Sequence, residues 1–166
     1  MFASKKMMEF LPNIHLLSMF IILFTLQYRV KALVPLYVYV FLDGLFSGFS
    51  LWWIPYTYIW TILWAGAMLI PKGKSKLFYM IVCPVTGGLH GILFGTLYAP
   101  FWAIIMHLDF NGFIAYIING LSFDVLHAIG NIASCTLVCP LYVALDKAER
   151  KYIRSDVRNG QDCSIR

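Results

Sequence analysis

Residues 77–145 read LFYMIVCPVTGGLHGILFGTLYAPFWAIIMHLDFNGFIAYIINGLSFDVLHAIGNIASCTLVCPLYVAL and contain only two charged side chains, those of Asp109 and Asp124. Upstream, residues 32–71 contain only one, that of Asp43. A helix crosses a bilayer with about 20 apolar residues, so each stretch is long enough for more than one crossing. The two stretches predict a polytopic membrane protein built from helices.

The composition of the whole chain agrees with that class. Of the 166 residues, 60% are hydrophobic and 13% are charged, and the mean hydropathy is +0.74. Soluble domains contain roughly 45–50% apolar and about 25% charged residues, which excludes a water-soluble enzyme, a disordered chain and a coiled coil. The net charge of +5 comes from short basic clusters between apolar runs, the pattern of membrane loops rather than of a nucleic-acid-binding face. The predicted fold class is therefore all-α, a membrane helix bundle.

We expect five crossings of the bilayer, with a short helix over residues 113–121 before the last of them. The crossings are predicted at residues 11–28, 32–48, 54–70, 77–99 and 123–145. An alternative counts the short helix as part of a sixth crossing. Cytoplasmic loops carry an excess of lysine and arginine, so the charge distribution decides between the two. With five crossings, 11 lysine and arginine residues lie on one side of the membrane and 2 on the other, whereas with six crossings the numbers are 8 and 5. The more uneven distribution favours five crossings.

This arrangement places the C-terminus in the cytoplasm and Met1 outside the plasma membrane. The chain then divides into a polar segment over residues 1–10, a transmembrane domain over residues 11–145 and a cytoplasmic basic tail over residues 146–166. The first segment lacks the pattern of a signal peptide, and we interpret it as the remnant of a preceding helix or an outer loop. We expect the tail to begin as a helical extension and to become irregular near the anionic inner leaflet.

Polar residues of the predicted crossings gather at the outer ends, whereas the inner half carries almost none apart from the basic loops. Polar and charged side chains inside a membrane usually face a bundle interior or a water-filled cavity. We infer a cavity open to the outside. Its candidate ligand-binding residues are Asn13, His15, Asp43, Trp52, Trp53, Tyr56, Asn119, Asp124, His127 and Asn131.

The densest polar group is Asp124, His127 and Asn131, whose spacings of three and four place them on one helix face. An acid, an imidazole and an amide together favour a stripe that hydrogen-bonds a ligand. Alternatively, the three side chains satisfy one another and a neighbouring helix. A metal site is disfavoured, because the stripe offers two ligands where a site needs three or four.

Other polar candidates have structural alternatives of their own. Asp43 is either a ligand contact or the partner of a salt bridge or helix cap. Asn13 and His15 follow Pro12 at a helix start, where asparagine often serves only as a cap. His90 lies among glycines, where a histidine is more often a packed helix contact than a ligand contact.

The aromatic residues are open to the same question, because tryptophan and tyrosine collect at membrane interfaces without any ligand. Trp52, Tyr56 and Trp60 recur at helical spacing, and with Trp53 and Trp64 they extend deeper than an interfacial belt requires. The outer members are therefore candidates for stacking on a flat heteroaromatic ligand. Trp60 and Trp64 are expected to pack in the core.

Glycine patterns over residues 44–48 and 87–95 permit close approach of helices. The chain contains no GxxxxGK[ST], GxGxxG, HExxH or GxSxG motif, so we expect neither ATP hydrolysis nor a cofactor. Its four cysteines show no CxxC or secreted-framework spacing, which disfavours zinc and disulfides.

Five segments follow one another as LPNIHLLSMFIIL (11–23), FLDGLFSGFSLWW (41–53), YTYIWTILW (56–64), GGLHGILFGTLYAP (87–100) and INGLSFDVLHAIGNIASCTLVCPL (118–141). Together they resemble the substrate-binding S components of energy-coupling factor (ECF) vitamin transporters. The resemblance covers residues 11–145, and the order and spacing of the segments carry it more than any single motif. In that family the PNI-like segment follows a first helix, so six helices would be expected and the first would be almost absent here.

The resemblance implies binding rather than catalysis. An S component captures a micronutrient, such as a vitamin, a precursor or a similar heterocycle, in an outward-facing cup. It associates with a transmembrane coupling (T) subunit and two cytoplasmic ATPases, and topples in the membrane to release its cargo inside. By position, the first outer loop would contain Asn13 and His15, the next Trp52 and Trp53, and the last loop and helix Asn119, Asp124, His127 and Asn131.

Two rival hypotheses belong to other classes. A small intramembrane enzyme would use the stripe of Asp124, His127 and Asn131, but the nearest hydroxyls, Ser122 and Ser134, lie in no recognised nucleophile elbow. A ligand-free scaffold protein would leave the outward polar residues unexplained.

Overall fold

The computed structural model describes residues 1–7 and 15–163, with side chains through residue 152. Its helices are α1 (Phe2–Met7), α2 (Leu17–Tyr28), α3 (Leu33–Ser47), α4 (Tyr56–Met68), α5 (Lys76–Ile92), α6 (Phe94–Ile105), α7 (Phe110–Cys135) and α8 (Val138–Cys163). A 3-10 helix, Arg29–Ala32, joins α2 to α3. Helix accounts for 83% of the structure and the described residues form no strand, which confirms the all-α class.

In the first half of the chain, α2 and α4 run in the same direction and α3 runs against them. The ring of His15, just before α2, contacts the ring of Trp60 near the start of α4. At the other end, Arg29 donates hydrogen bonds to the carbonyl groups of Met68 and Ile70. The antiparallel register of α3 is fixed by Trp53, whose Nε1 donates to the carbonyl of Val40 over 2.7 Å.

The second half is a long antiparallel hairpin in which α5 and α6 together pack against α7. Gly95 of α6 bonds to Asp124, and Asn131 further along α7 bonds back to Gly87 of α5. His90 ties this hairpin to α4 by donating from Nε2 to the carbonyl of Ile59 over 3.1 Å. Five segments therefore alternate in direction: α2, α3, α4, α5 with α6, and α7 with α8.

Three helical stretches are long and apolar enough to cross a membrane: Leu17–Ser47, Lys76–Ile105 and Phe110–Tyr152. Each contains two helices, and the first contains two of the predicted crossings. The predicted crossing 54–70 corresponds to α4, which has 13 residues and spans about 20 Å at 1.5 Å per residue. The described helices thus confirm an apolar helical bundle, while the number of crossings stays a prediction.

Three features of the helices differ from those expected. The predicted crossing 77–99 is interrupted at Leu93, where α5 ends and α6 begins. Residues 113–121 form no separate short helix, because α7 runs unbroken through Phe110–Cys135. The backbone of the tail is helical as far as Cys163, where an irregular segment was expected.

Helix α2 forms the centre of the core. Eight of its 12 residues are buried, among them Ile22 and Leu26 at 0% exposure, because α4, α5, α7 and α8 surround it. Around this core, large apolar side chains such as Val34, Phe41 and Ile81 are more than half exposed. Apolar patches of this extent on a bundle surface are typical of contact with lipid.

Local signals fix the helix ends. The hydroxyl of Ser75 accepts from the backbone N–H of Phe78 and caps α5, and Asp109 accepts from Gly112 over 2.8 Å and caps α7. Gly48 ends α3 with a φ of 89°, a left-handed value that favours glycine. The glycine pattern over residues 44–48 therefore ends in a turn, so it does not serve close helix packing along its whole length.

The glycines of α5 allow close approach of α7. A Cβ atom built at Gly91 would lie 2.6 Å from the Cα atom of Ala128, and one built at Gly87 would lie 2.7 Å from the sulfur of Cys135. Only residues without a side chain fit at such a separation. This contact holds α7, which supplies both Asp124 and His127, against α5.

Candidate functional site

A cavity of about 450 Å³ lies at the end of the bundle where α4, α6 and the first half of α7 meet. Aromatic side chains make up most of its wall and polar ones are few. The lining residues are Tyr56, Phe94, Gly95, Tyr98, Tyr116, Asn119, Gly120, Phe123, Asp124 and His127. A largely apolar cavity of roughly 300–1,000 Å³ with a few convergent polar groups is typical of a small-molecule site.

Asp124 is the charged group of the cavity, and its position follows from the break between α5 and α6. The first N–H groups of a helix have no partner within it, and Leu93 provides no side-chain cap for α6. Oδ1 of Asp124 accepts from the backbone N–H of Gly95 over 2.9 Å. The positive end of α6 therefore stabilises a carboxylate that is only 5% exposed.

His127 lies one turn after Asp124 and belongs to a ring cluster next to the cavity. The cluster consists of His15, Trp60, His90, Phe94 and His127. The ring centroid of His127 is 4.7 Å from that of Phe94 and 5.0 Å from that of His15. The histidine is 3% exposed, and its Nε2 atom has no hydrogen-bond partner among the residues described. Buried polar atoms are normally paired, so Nε2, which is itself closed off from solvent, is an exception whose bonding the described residues do not complete.

Two other members of the ring cluster have the same property. His15 and His90 each contain a buried Nδ1 atom without a partner in the described part of the chain. Trp60, 1% exposed, lies between them with ring centroids 5.7 and 5.3 Å away. Trp60 packs in the core as predicted, but two of the rings that it contacts there, those of His15 and His90, are polar.

Asn131 does not line the cavity. Its amide Nδ2 donates to the carbonyl of Gly87 over 3.1 Å, and the side chain is completely buried between α7 and α5. The three residues predicted to lie on one helix face therefore have different environments. Asp124 and His127 line the cavity, whereas Asn131 bonds to the neighbouring helix α5, as the structural alternative proposed.

Asp43 forms an ion pair, the structural alternative considered for it. Both of its oxygens accept from Nζ of Lys5 in α1, over 2.8 and 2.7 Å, and the carboxylate is fully buried. The same ammonium group lies 5.3 Å from the ring centroid of Tyr56 and 5.8 Å from that of Trp52, within cation–π distance. Lys5 therefore links α1 to α3 and to one wall of the cavity.

The predicted aromatic residues have different environments. Tyr56 lines the cavity, and Trp52 packs edge-on against it at a centroid distance of 5.4 Å. The hydroxyl of Tyr98 donates to the backbone carbonyl of Trp52 and fixes the loop before α4. Trp53 points towards α3 and Phe49 instead, where it serves packing.

The remaining predicted positions are Asn119, which lines the cavity, and Asn13, which lies outside the described residues. Sequence reasoning did not identify Phe94, Tyr98, Tyr116 and Phe123 as wall residues. In a chain with 17% aromatic residues, an aromatic side chain carries little signal. The spacing of four between Phe94 and Tyr98, on either side of Gly95, is the signal that could have found two of them.

The described histidines raise the question of a metal site, whose arrangement requires three or four ligands. Over residues 1–7 and 15–152, no group of three His, Cys, Asp or Glu side chains is arranged to hold a metal ion. The arrangement can instead offer hydrogen bonds and aromatic faces to an organic molecule.

Comparisons with protein-family models, with curated proteins and with solved structures find no match to this chain.

Proposed function

We propose that this chain is a membrane-embedded substrate-capture subunit of an ECF-type importer. One observation carries the proposal: an aromatic cavity of about 450 Å³ contains a buried carboxylate and a buried imidazole whose Nε2 atom has no described partner. Such a cavity suits a flat, polar micronutrient such as a vitamin, a precursor or a similar heterocycle. The chain itself performs no chemistry on it.

The proposal includes five crossings with a cytoplasmic C-terminus, which agrees with the five alternating segments and the 11 to 2 charge distribution. The cavity then faces outwards, because it lies at the opposite end of the bundle from Lys74 and Lys76. Delivery inwards requires a separate module, which by resemblance consists of a transmembrane coupling subunit and two cytoplasmic ATPases.

An intramembrane enzyme is less well supported. Ser134 donates its hydroxyl to the backbone carbonyl of Asn131 over 3.2 Å, which is a local helix bond rather than activation by a base. The cavity lining contains no serine, threonine or cysteine among the residues described.

Mass spectrometry of small molecules extracted from the purified protein tests the proposal. Asp124→Asn and His127→Asn remove a charge and an imidazole from the cavity wall. Asp146→Asn and His107→Asn are the matched controls, since these residues lie away from the cavity and asparagine tolerates the positive φ of His107. We expect one compound to co-purify with wild type and both controls and to be lost from both cavity variants.

The proposal fails if folded wild-type protein from cells grown in rich medium yields no compound. It also fails if the cavity variants retain the compound as well as the controls do. Size-exclusion profiles of all five proteins establish that the comparison is made between folded species.

A further inference from the structure

The charge of the cavity restricts what it can bind. Asp124 uses one of the roughly four lone-pair sites of its carboxylate on the N–H of Gly95. No lysine or arginine lines the cavity or pairs with Asp124 over residues 1–7 and 15–152, and the segment 8–14 contains neither residue type in its sequence. A buried carboxylate is costly unless a cation or several donors compensate it.

Lys5, whose ammonium group lies 5.3 Å from the ring centroid of Tyr56 in the cavity wall, does not provide this compensation. Lys5 donates to both oxygens of Asp43, so the two side chains form a neutral pair. The amino end of α6 contributes the equivalent of about half a positive charge. Among the residues described, the amino end of α6 is therefore the only positive group that contacts the carboxylate of Asp124.

The remaining walls suit a flat cation. Rings of Tyr56, Phe94, Tyr98, Tyr116 and Phe123 surround the space. Aromatic faces attract cations, most strongly where the cation is desolvated. His127, one helical turn from Asp124, adds an imidazole ring to the same wall.

From these contacts we propose that the cavity selects a flat nitrogen heterocycle that carries a positive charge, with its cationic N–H edge on Asp124 and its ring between the aromatic walls. This inference rests on the proposed capture function and narrows its substrate class. Anionic micronutrients are excluded by the same carboxylate.

Three probes of matched size and shape test the sign of the charge: benzamidine, benzamide and benzoate, which carry charges of about +1, 0 and −1 at neutral pH. Each is titrated into the full chain in nanodiscs of zwitterionic phosphatidylcholine, with empty nanodiscs as the blank, and binding is measured by ligand-observed NMR. We expect benzamidine to bind at least about tenfold more tightly than benzamide, the range of one charged hydrogen bond, and benzoate to bind least.

The variant Asp124→Asn keeps an oxygen that can accept from Gly95 and removes only the charge. We expect it to bind benzamidine and benzamide equally, with benzamide affinity unchanged, whereas Asp146→Asn retains the wild-type ranking. The wild-type ranking alone tests the inference if Asp124→Asn does not fold.

Equal binding of the three probes, binding of none, or an undiminished preference for benzamidine in Asp124→Asn would overturn the charge assignment. An anionic or uncharged compound co-purifying with wild type would overturn it as well, while leaving the capture function supported. Absence of any co-purifying compound bears on the capture function instead.

Discussion

The carboxylate of Asp124 in α7 accepts a hydrogen bond from the backbone N–H of Gly95 at the start of α6. The break at Leu93 exposes this N–H group, and the carboxylate supplies the cap that α6 lacks locally. A buried acidic side chain is thus stabilised by a helix terminus while it lines the cavity. The same contact makes the position of Asp124 depend on the absence of a side chain at Gly95.

Gly95→Ala is expected to displace Asp124. A Cβ atom at this position would lie 2.5 Å from Oδ2 and 3.0 Å from Cγ of Asp124, so the carboxylate must move. We expect a loss of about 1–3 kcal/mol in the free energy of unfolding and loss of the co-purifying compound. Unfolding in a detergent titration and mass spectrometry measure the two effects.

Gly66→Ala in α4 is the matched control, because nothing lies within 4 Å of its Cβ position. Alanine is the better helix former, so this variant should be as stable as wild type or slightly more stable and should retain the compound. Equal behaviour of Gly95→Ala and Gly66→Ala would show that the contact between Gly95 and Asp124 is not tight.

Two neighbouring glycines of α5 should differ in whether a second mutation rescues them. A Cβ atom at Gly88 would meet only the side chain of Ile132, at 2.7 Å, whereas one at Gly91 would meet backbone atoms of Ala128. We expect Gly88→Ala to lose about 1–3 kcal/mol and to recover part of it with Ile132→Val, which removes the Cδ1 atom at 2.9 Å and shortens a side chain that can move. Thermal unfolding of the single and double variants measures this recovery.

Gly91→Ala should be destabilised by at least as much as Gly88→Ala, and Ile132→Val should not restore it. Rescue of Gly91→Ala by that change would mean that α5 and α7 are not fixed by a backbone contact at this point.

The ion pair between Lys5 and Asp43 should be needed to hold α1 against α3. Lys5→Met leaves a fully buried carboxylate without its cation, and we expect a loss of about 2–3 kcal/mol. This is below the range for fully buried pairs, because the Lys5 side chain is 24% exposed. The double variant Lys5→Met with Asp43→Leu should regain most of the loss in a chemical unfolding titration.

Lys31→Met, at an exposed position in the 3-10 helix, is the control for removing a positive charge and should change stability by less than about 0.5 kcal/mol. A double variant less stable than Lys5→Met would contradict the role assigned to the ion pair.

The sequence was sufficient to predict a helical fold and four of the ten residues that line the cavity, namely Tyr56, Asn119, Asp124 and His127. Long apolar runs with few charges leave no alternative to helices, and the spacing of Asp124 and His127 places them on one face. The break at Leu93 could not be predicted, because residues 92–94 are as apolar as their surroundings. The pairing of Asp43 with Lys5 joins residues 38 apart in sequence, and no local pattern encodes such a contact.

Five crossings predict which loops reagents reach from outside the cell. In a Cys163→Ser background the other cysteines are buried, so Asn111→Cys and Lys74→Cys each provide one accessible thiol. We expect a membrane-impermeant maleimide to label the thiol at position 111 in intact cells and the one at position 74 only after permeabilisation. Labelling of position 74 in intact cells would instead support the arrangement with six crossings.

His127 and Asn131 lie one turn apart and should separate ligand binding from stability. His127→Phe preserves a ring beside His15 and Phe94 while removing the unpartnered Nε2, so we expect the free energy of unfolding to stay within about 1 kcal/mol of wild type. Asn131→Ala loses the bond to the carbonyl of Gly87 and should be destabilised by about 1–3 kcal/mol. The amount of co-purified compound should fall at least about tenfold in His127→Phe, whereas the folded fraction of Asn131→Ala should retain it. If His127→Phe unfolds readily and Asn131→Ala does not, the histidine serves packing, and the role in ligand binding assigned to it is wrong.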